Sequence, residues 1–501
     1  MMITRELMAP LMFGGLVVFL LIGYPVAFSL AAVGLFFGFF GIEFGFFPVA
    51  LLQALPERVF GILSNELLLA VPFFTFMGAI LERCGLAEDM LEGMGQLFGP
   101  VRGGLAYAVI IVGAILGAVT GTVAASVIAM GLISLSVMMR YGYDMKLATG
   151  VIAASGTITQ LIPPSLVLVI LADQLGRSVG DMYAGAIGPS IVQVLLFCAY
   201  IALLGIIRPN AMPALPPEAR TLKGWALLRK VGWGMLPSMV LIFLVLGTIF
   251  LGLATPTEAG AMGAVGALVL AALHRRLTRP LLQEGMATTM RITAMVIYIL
   301  IGSTVFSLVF RGVDGDLWLE GLLTSLPGGV VGFLIFVNLF VFFLAFFLDF
   351  FEIAFIIIPL LAPVAQKLGI DLIWFGVLLG ANMQTSFMHP PFGLALFYLR
   401  GIAPKEVKSS DIYWGAVPWV VLQLMLVAIL IYWPGLVTDF VPRHERVDPS
   451  KVEIKLDEPP AAAEPLPPDT DLPTGTEKPT ATAPAEEDPA AELQRQFKMG
   501  R

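Results

Sequence analysis

The chain has 501 residues, 58% of them hydrophobic and only 13% charged, with a formal net charge of −7. Soluble domains carry about 25% charged residues, so a water-solvated globule is excluded and lipid must solvate most of this surface. Two cysteines, Cys84 and Cys198, and three scattered histidines, His274, His389 and His444, offer neither a disulfide framework nor a His-based metal cluster.

Apolar windows of roughly 20 residues, enough to cross about 30 Å of hydrocarbon, recur from Leu11 to Trp433 and predict about eleven or twelve spans. The first lacks a small-residue cleavage site and reads as a retained span. Residues 1–207 form the first membrane unit. Within it, Gly103-Gly104 opens an apolar run over about 104–139, interrupted at Gly117-Ala118-Val119-Thr120-Gly121-Thr122. One straight helix of about 36 residues would overshoot the bilayer at ~1.5 Å per residue. A re-entrant helical hairpin turning at the polar interruption fits better, with two short spans joined by a loop as the alternative. The next segment, about 145–174, is broken by Ile162-Pro163-Pro164-Ser165. Consecutive prolines remove amide donors and push the residue before each out of helical geometry.

Residues 208–233 form a linker rich in Arg208, Arg220, Lys223, Arg229 and Lys230, cytoplasmic by the positive-inside bias, as is the cluster His274-Arg275-Arg276. Residues 234–436 form a second membrane unit, with an apolar run at about 328–365 interrupted by Asp349-Phe350-Phe351-Glu352. A segment at about 372–399 follows, broken at His389-Pro390-Pro391-Phe392-Gly393. Residues 437–501 are an acidic, Pro/Ala-rich tail. From Lys451 onward it holds 6 basic and 11 acidic side chains, so five of the seven net negative charges lie there. Its composition predicts disorder.

The two units repeat one another. Gly85 recurs at Gly312, Asp144 at Asp371, Thr122 at Asp349 and Pro163-Pro164 at Pro390-Pro391, always 227 residues later. The register then slips to 230, where Asp181-Met182-Tyr183-Ala184-Gly185 returns as Asp411-Ile412-Tyr413-Trp414-Gly415. The charge asymmetry of the loops points to inverted repeats, and paired helix breaks at matched places mark an alternating-access transporter. The fold expected is all-α and membrane-integral, with two inverted repeats, each having a re-entrant hairpin and a Pro-Pro broken helix.

Ionisable groups in an apolar setting are functional candidates because burying them is costly. They are Asp349, Glu352, Glu258, Asp173, Glu66 and His389. Unwound backbone within a membrane is tolerated only where protein or a wet cavity covers it, and its carbonyls can hold a cation. Hard oxygens suit a small alkali ion. Candidate cation ligands are therefore Thr120, Thr122, Thr157 and Pro163 at the first break and Asp349, Thr385 and Pro390 at the second, with Thr159 a further hydroxyl. Candidate substrate contacts are Arg311, Ser165, Ser386 and His389, the arginine as a bidentate clamp for a carboxylate. A snorkelling anchor is the alternative for Arg311 and equally for Arg291, and a ligand-free kink is the alternative for either break. No G-x-x-x-x-G-K-[ST], G-x-S-x-G or H-E-x-x-H motif occurs, so neither ATP binding through a P-loop nor hydrolase chemistry is indicated, and no enzyme activity is expected.

Val71-Pro72-Phe73-Phe74 with Gly78, Gly121-Thr122-Val123-Ala124-Ala125, Arg140-Tyr141-Gly142-Tyr143, Ile162-Pro163-Pro164-Ser165, Ala254-Thr255-Pro256-Thr257-Glu258-Ala259 and Pro390-Pro391-Phe392-Gly393 occur together over about Met12 to Trp433. In this combination the chain resembles the large membrane subunit of tripartite ATP-independent periplasmic (TRAP) transporters. The resemblance implies a sodium-driven importer of a small organic acid in the bacterial inner membrane, of the elevator type with a moving domain that holds both hairpins and both broken helices, and with no further cofactor and no nucleic-acid partner. It also implies two protein partners, a small four-helix membrane subunit and a periplasmic substrate-binding protein. Sodium sites in that family lie where a hairpin tip meets an unwound helix. The chain departs from many relatives at Thr120-Gly121-Thr122, where serines are common, and at Met388-His389, where an apolar or small residue precedes the prolines. Other readings of the same residues are a self-sufficient carrier of the same superfamily, a passive channel and a membrane-embedded enzyme.

Overall fold

In the computed structural model, which describes residues 5–120 and 123–442, all regular elements are helical. The first unit begins with α1 (Arg5–Ile22), α2 (Val26–Glu43), the bent pair α3 (Ala50–Leu63) and α4 (Glu66–Glu82), and α5 (Leu86–Phe98). It continues with α6 (Gly104–Thr120), α7 (Val123–Arg140), α8 (Met145–Thr157), α9 (Leu166–Leu175) and α10 (Val179–Ile207). The second unit holds α11 (Gly224–Phe250), α12 (Pro256–Leu273), α13 (Arg279–Gly312), α14 (Gly315–Thr324) and α15 (Gly329–Leu344). It ends with α16 (Phe350–Lys367), α17 (Leu372–Met383), α18 (Leu394–Ile402), α19 (Ser409–Tyr432) and the short α20 (Gly435–Thr438).

Eight helices among the described residues are long and apolar enough to cross a membrane, or up to ten if each bent pair is one span. That is fewer than the windows in the sequence predict. Several apolar windows belong to half-length helices: α6, α9 and α17 with the turn after it are too short to count. The tail lies outside the described residues from position 443. Before it, α20 still packs on the body, with Val437 fully buried against Gly185.

The broken helices start alike. Asp144 caps α8 by accepting from the Lys146 amide, and Asp371 caps α17 by accepting from the amides of Ile373 and Trp374. Each ends in a 3₁₀ turn, Ile158–Gln160 or Gln384–Met388, and then meets its proline pair. Both Pro163-Pro164 and Pro390-Pro391 are cis. The chain resumes as α9, capped by Ser165, and as α18.

An outer layer is formed by α2, α4, α12 and α13, with α11 against α5. Lys230 near the start of α11 ties to Asp89 at 3.2 Å and Glu92 at 2.8 Å on α5. The inner body is reciprocal. α8 packs on α18 and α9 on α17, so the two broken helices lie antiparallel with their breaks side by side. The first hairpin, α6 and α7, packs on α8, and α7 also touches α18; the second, α15 and α16, packs on α17, and α16 also touches α9. The last helices exchange partners too: α19 packs on α8, and α10 on α17. Inverted repeats produce this exchange because each element meets the counterpart of its own neighbour.

Two apolar cores result. One gathers α9, α17 and the second hairpin with the outer layer; the other gathers the first hairpin, α8, α18 and α19. Each broken helix therefore starts in one core and finishes in the other. The polar breaks sit where the cores meet.

Candidate functional site: two helix breaks and their hairpins

The first break is largely self-satisfied. Ser165 Oγ accepts from the Val167 amide at 3.1 Å and donates to the Gln160 carbonyl at 2.6 Å. Its own carbonyl accepts from the Tyr183 hydroxyl at 3.4 Å, and Ser190 donates to the Leu161 carbonyl at 3.1 Å. The Gln160 carbonyl lies four residues before Pro164, which has no amide to offer it, and the Ser165 hydroxyl takes that place. Thr157 Oγ1 donates to the Ala154 carbonyl at 2.9 Å. Thr159, fully buried, has a hydroxyl with no partner. The first hairpin reaches this point through Gly117, where an added Cβ would lie 2.6 Å from Thr159 Cγ2 and 2.8 Å from its Cα. Thr120 ends α6 three residues later, and Thr122 lies outside the described residues.

The second break is polar and less satisfied. Thr385 and Ser386 are buried and their hydroxyls are without partners. His389, 1% exposed, stacks on Phe346 with ring centroids 4.1 Å apart and meets Phe342 edge-on at 4.4 Å. Neither ring nitrogen makes a well-formed hydrogen bond, and the nearby backbone group is that of Ala345. These three contacts all come from the end of α15 and the turn after it, so the second hairpin tip lies on the second break. Pro391 is followed by Gly393, whose amide donates to the His389 carbonyl at 2.6 Å.

Asp349 sits in that tip as the N-cap of α16. Its carboxylate accepts from the Glu352 amide at 2.9 Å, while the Glu352 carboxylate accepts from the Asp349 amide at 2.9 Å, a reciprocal capping box. The pair thus has a structural task whatever else it does. Thr157 and Met388 bring the breaks into contact, hydroxyl to sulfur at 3.5 Å.

Other candidates fall elsewhere. Arg311 is exposed at the end of α13, beside Gly312, which packs on Leu51 and Phe47 in the outer layer. Glu258 caps α12 in a box with Thr255, and the Glu66 carbonyl accepts from Thr257 at 3.0 Å. Asp173 is held by Asn65 at 2.8 Å and Gln174 at 2.9 Å, in a cleft of about 300 Å³ that Arg58 also lines. Sequence reasoning passed over Arg58 and the buried amides Gln193, Asn338, Asn382, Gln384 and Gln423. Their signal was available: an amide side chain in an apolar run needs a partner.

A family model described as the DctM component of tripartite ATP-independent periplasmic transporters matches residues 13–436. The chain belongs to the DctM family. Among its relatives, the "C4-dicarboxylate TRAP transporter large permease protein DctM" of Pseudomonas aeruginosa is 29% identical over 76% of this chain and 88% of its own length. The protein of the same name from Rhodobacter capsulatus is 29% identical over 85% of this chain and 97% of its own. Membership makes the chain the large permease component of a TRAP transporter in the bacterial inner membrane, and a transport subunit in place of an enzyme. In fold it is similar to a solved transporter, described as "Crystal structure of the Alcanivorax borkumensis YdaH transporter reveals an unusual topology". The TM-score is 0.57 at 16% identity, covering 78% of this chain and 90% of that one.

Proposed function

We propose that this large permease subunit drives uptake of a small organic anion with a sodium gradient, moving the inner body against the outer layer as an elevator. One observation carries the reading. The buried hydroxyls of Thr159, Thr385 and Ser386, all without partners, gather at two antiparallel helix breaks, the first packed against Gly117 of α6 and the second against the turn after α15. A hydroxyl withheld from both water and partners is costly. Hydroxyl, carbonyl and carboxylate oxygens are the ligands a hard cation takes. In this reading Thr120, Thr122, Thr157, Thr159 and the carbonyls near Pro163 serve one sodium ion. Asp349, Thr385 and the carbonyls near Pro390 serve another, with Ser165, Ser386 and His389 facing the solute.

Elevator movement is supported by how the inner body is built. Its hairpins and broken helices interlock reciprocally, whereas among the described residues its side-chain hydrogen bonds to the outer layer are isolated ties, such as Asn65 to Asp173 and Ser303 to the Phe355 carbonyl. The proposed partners are a small four-helix membrane subunit and a periplasmic substrate-binding protein, and the solute class follows the C4-dicarboxylate relatives.

The test is the melting temperature of the purified chain against sodium, balanced with potassium at constant ionic strength. A ligand at ten times its Kd adds roughly 1.4 kcal/mol to the folded state. The expected result is a saturable, sodium-specific rise that Asp349→Ala removes. Equal curves in sodium and potassium would overturn the sodium assignment.

A further inference from the structure

Thr157 and Gln384 occupy equivalent places in the 227-residue repeat, and Gln193 and Gln423 occupy equivalent places in the 230-residue register of the last helices. Gln193 and Gln423 each bond the broken helix of the other repeat, and Gln423 adds only a long contact to Met388 Sδ, at 3.8 Å, in its own. Gln193 on α10 donates Nε2 to Gln384 Oε1 at 2.7 Å and accepts from Gln384 Nε2 at 3.3 Å. Gln423 on α19 donates Nε2 to Thr157 Oγ1 at 2.9 Å. All four side chains are at most 1% exposed. The inversion relating the repeats thus carries one contact onto the other.

The same helices meet at a second equivalent pair. An added Cβ on Gly415 would lie 2.2 Å from the Lys146 carbonyl, and one on Gly185 would lie 3.1 Å from Ile373 Cγ2. Positions 146 and 373 again differ by the repeat. Close approach at one end and an amide bond at the other fix each last helix along the opposite pre-break helix.

What the amide bond fixes is the point at which the backbone leaves the helix. Thr157 is the last residue of α8, and Gln384 the first residue beyond α17. Two residues further along stand Thr159 and Ser386, equivalent to one another, both buried and both with hydroxyls lacking partners. Each such hydroxyl therefore hangs two residues from an anchor supplied by the other repeat.

We infer that Gln193 and Gln423 are positioning residues: each sets the direction of the hydroxyl at the opposite repeat's break, so that affinity for a cation at one break depends on the last helix of the other repeat. This deepens the proposed function and rests on it. The two clamps differ in strength. The Gln193–Gln384 pair closes with two bonds. Gln423 reaches Thr157 with a single bond to oxygen, adds a long one to Met388 Sδ at 3.8 Å, and leaves its Oε1 without a partner. Gln193 is therefore the stronger determinant.

The experiment titrates sodium against the full chain and its Gln193→Met and Gln423→Met variants, balancing with potassium and reading the half-saturating concentration separately from the melting temperature without sodium. A purely structural clamp would lower the second and leave the first unmoved. The expected result is a rise in half-saturating sodium of about tenfold for Gln193→Met and about threefold for Gln423→Met, on the scale of one lost buried hydrogen bond. Should Gln193→Met not yield monodisperse protein, Gln423→Met, which removes one bond to oxygen and a long one to sulfur, carries the test. Unchanged half-saturation beside a responding wild type overturns this inference alone. A wild type that ignores sodium overturns both it and the sodium assignment.

Discussion

At position 155 the first pre-break helix carries a serine; at the equivalent position 382 the second carries an asparagine. Ser155 bonds back to the Ile152 carbonyl at 2.9 Å and lies directly under Gly113, whose added Cβ would be 2.7 Å from it. Asn382 instead reaches across to α15, donating to the Asn338 carbonyl at 2.7 Å and its Oδ1 at 3.0 Å. The first hairpin is thus seated by glycines that bring backbones together, and the second by polar ties, which also include the Ser303 bond to the Phe355 carbonyl at 2.6 Å. One repeat relies on contact distance, a property that side chains can only spoil. The other relies on bonds that a ligand could rearrange. The duplicated backbone plan therefore does not impose duplicated chemistry.

That contrast is broken most severely at Gly117. Replacement by Leu places a branched side chain against the Thr159 backbone, which cannot yield without moving the break. Overpacking of this kind costs about 3 kcal/mol, so the variant is expected to melt far below wild type or to fail as monodisperse protein. A well-behaved Gly117→Leu would remove the contact-distance account of the first hairpin.

On the polar side, Asn382→Leu leaves Asn338 Oδ1 without its donor, while Nδ2 keeps the Leu334 carbonyl, and is expected to cost about 1–2 kcal/mol in thermal unfolding. The double variant Asn338→Leu/Asn382→Leu should lose less than the sum of the singles, because neither amide is then left alone. Additive losses would mean that the two asparagines do not act as a pair.

Asp349 sharpens the comparison because a cap and a cation ligand make different demands. Asn is as good an N-cap as Asp, whereas Ala gives up about 1 kcal/mol. Asp349→Asn is therefore expected to keep its melting temperature without sodium and to lose sodium-driven uptake; Asp349→Ala should lose both. Full uptake by Asp349→Asn would reduce the carboxylate to a cap. The smallest effect belongs to Arg311→Gln. Exposed substitutions stay within about 0.5 kcal/mol, so its stability and its apparent KM for uptake should both match wild type, and a raised KM would bring Arg311 into the solute site.

The local sequence determined the repeats, the apolar runs and the places where helices stop. Its agents act within a few residues: the rings of Pro163-Pro164 and Pro390-Pro391 exclude helix geometry, and Asp144 and Asp371 start their helices by capping the nearest amides. Tertiary structure alone decided which polar groups meet. The partner of Gln193 lies 191 residues away and that of Gln423 lies 266 away, and only the antiparallel docking of the two repeats brings them together. Packing of the second hairpin on its own break seats His389 between Phe342 and Phe346, and the packing of Gly312 on Leu51 and Phe47 sets Arg311 with the outer layer. A helix break is a property of the residues that make it, whereas a binding site is a property of whatever the break is packed against.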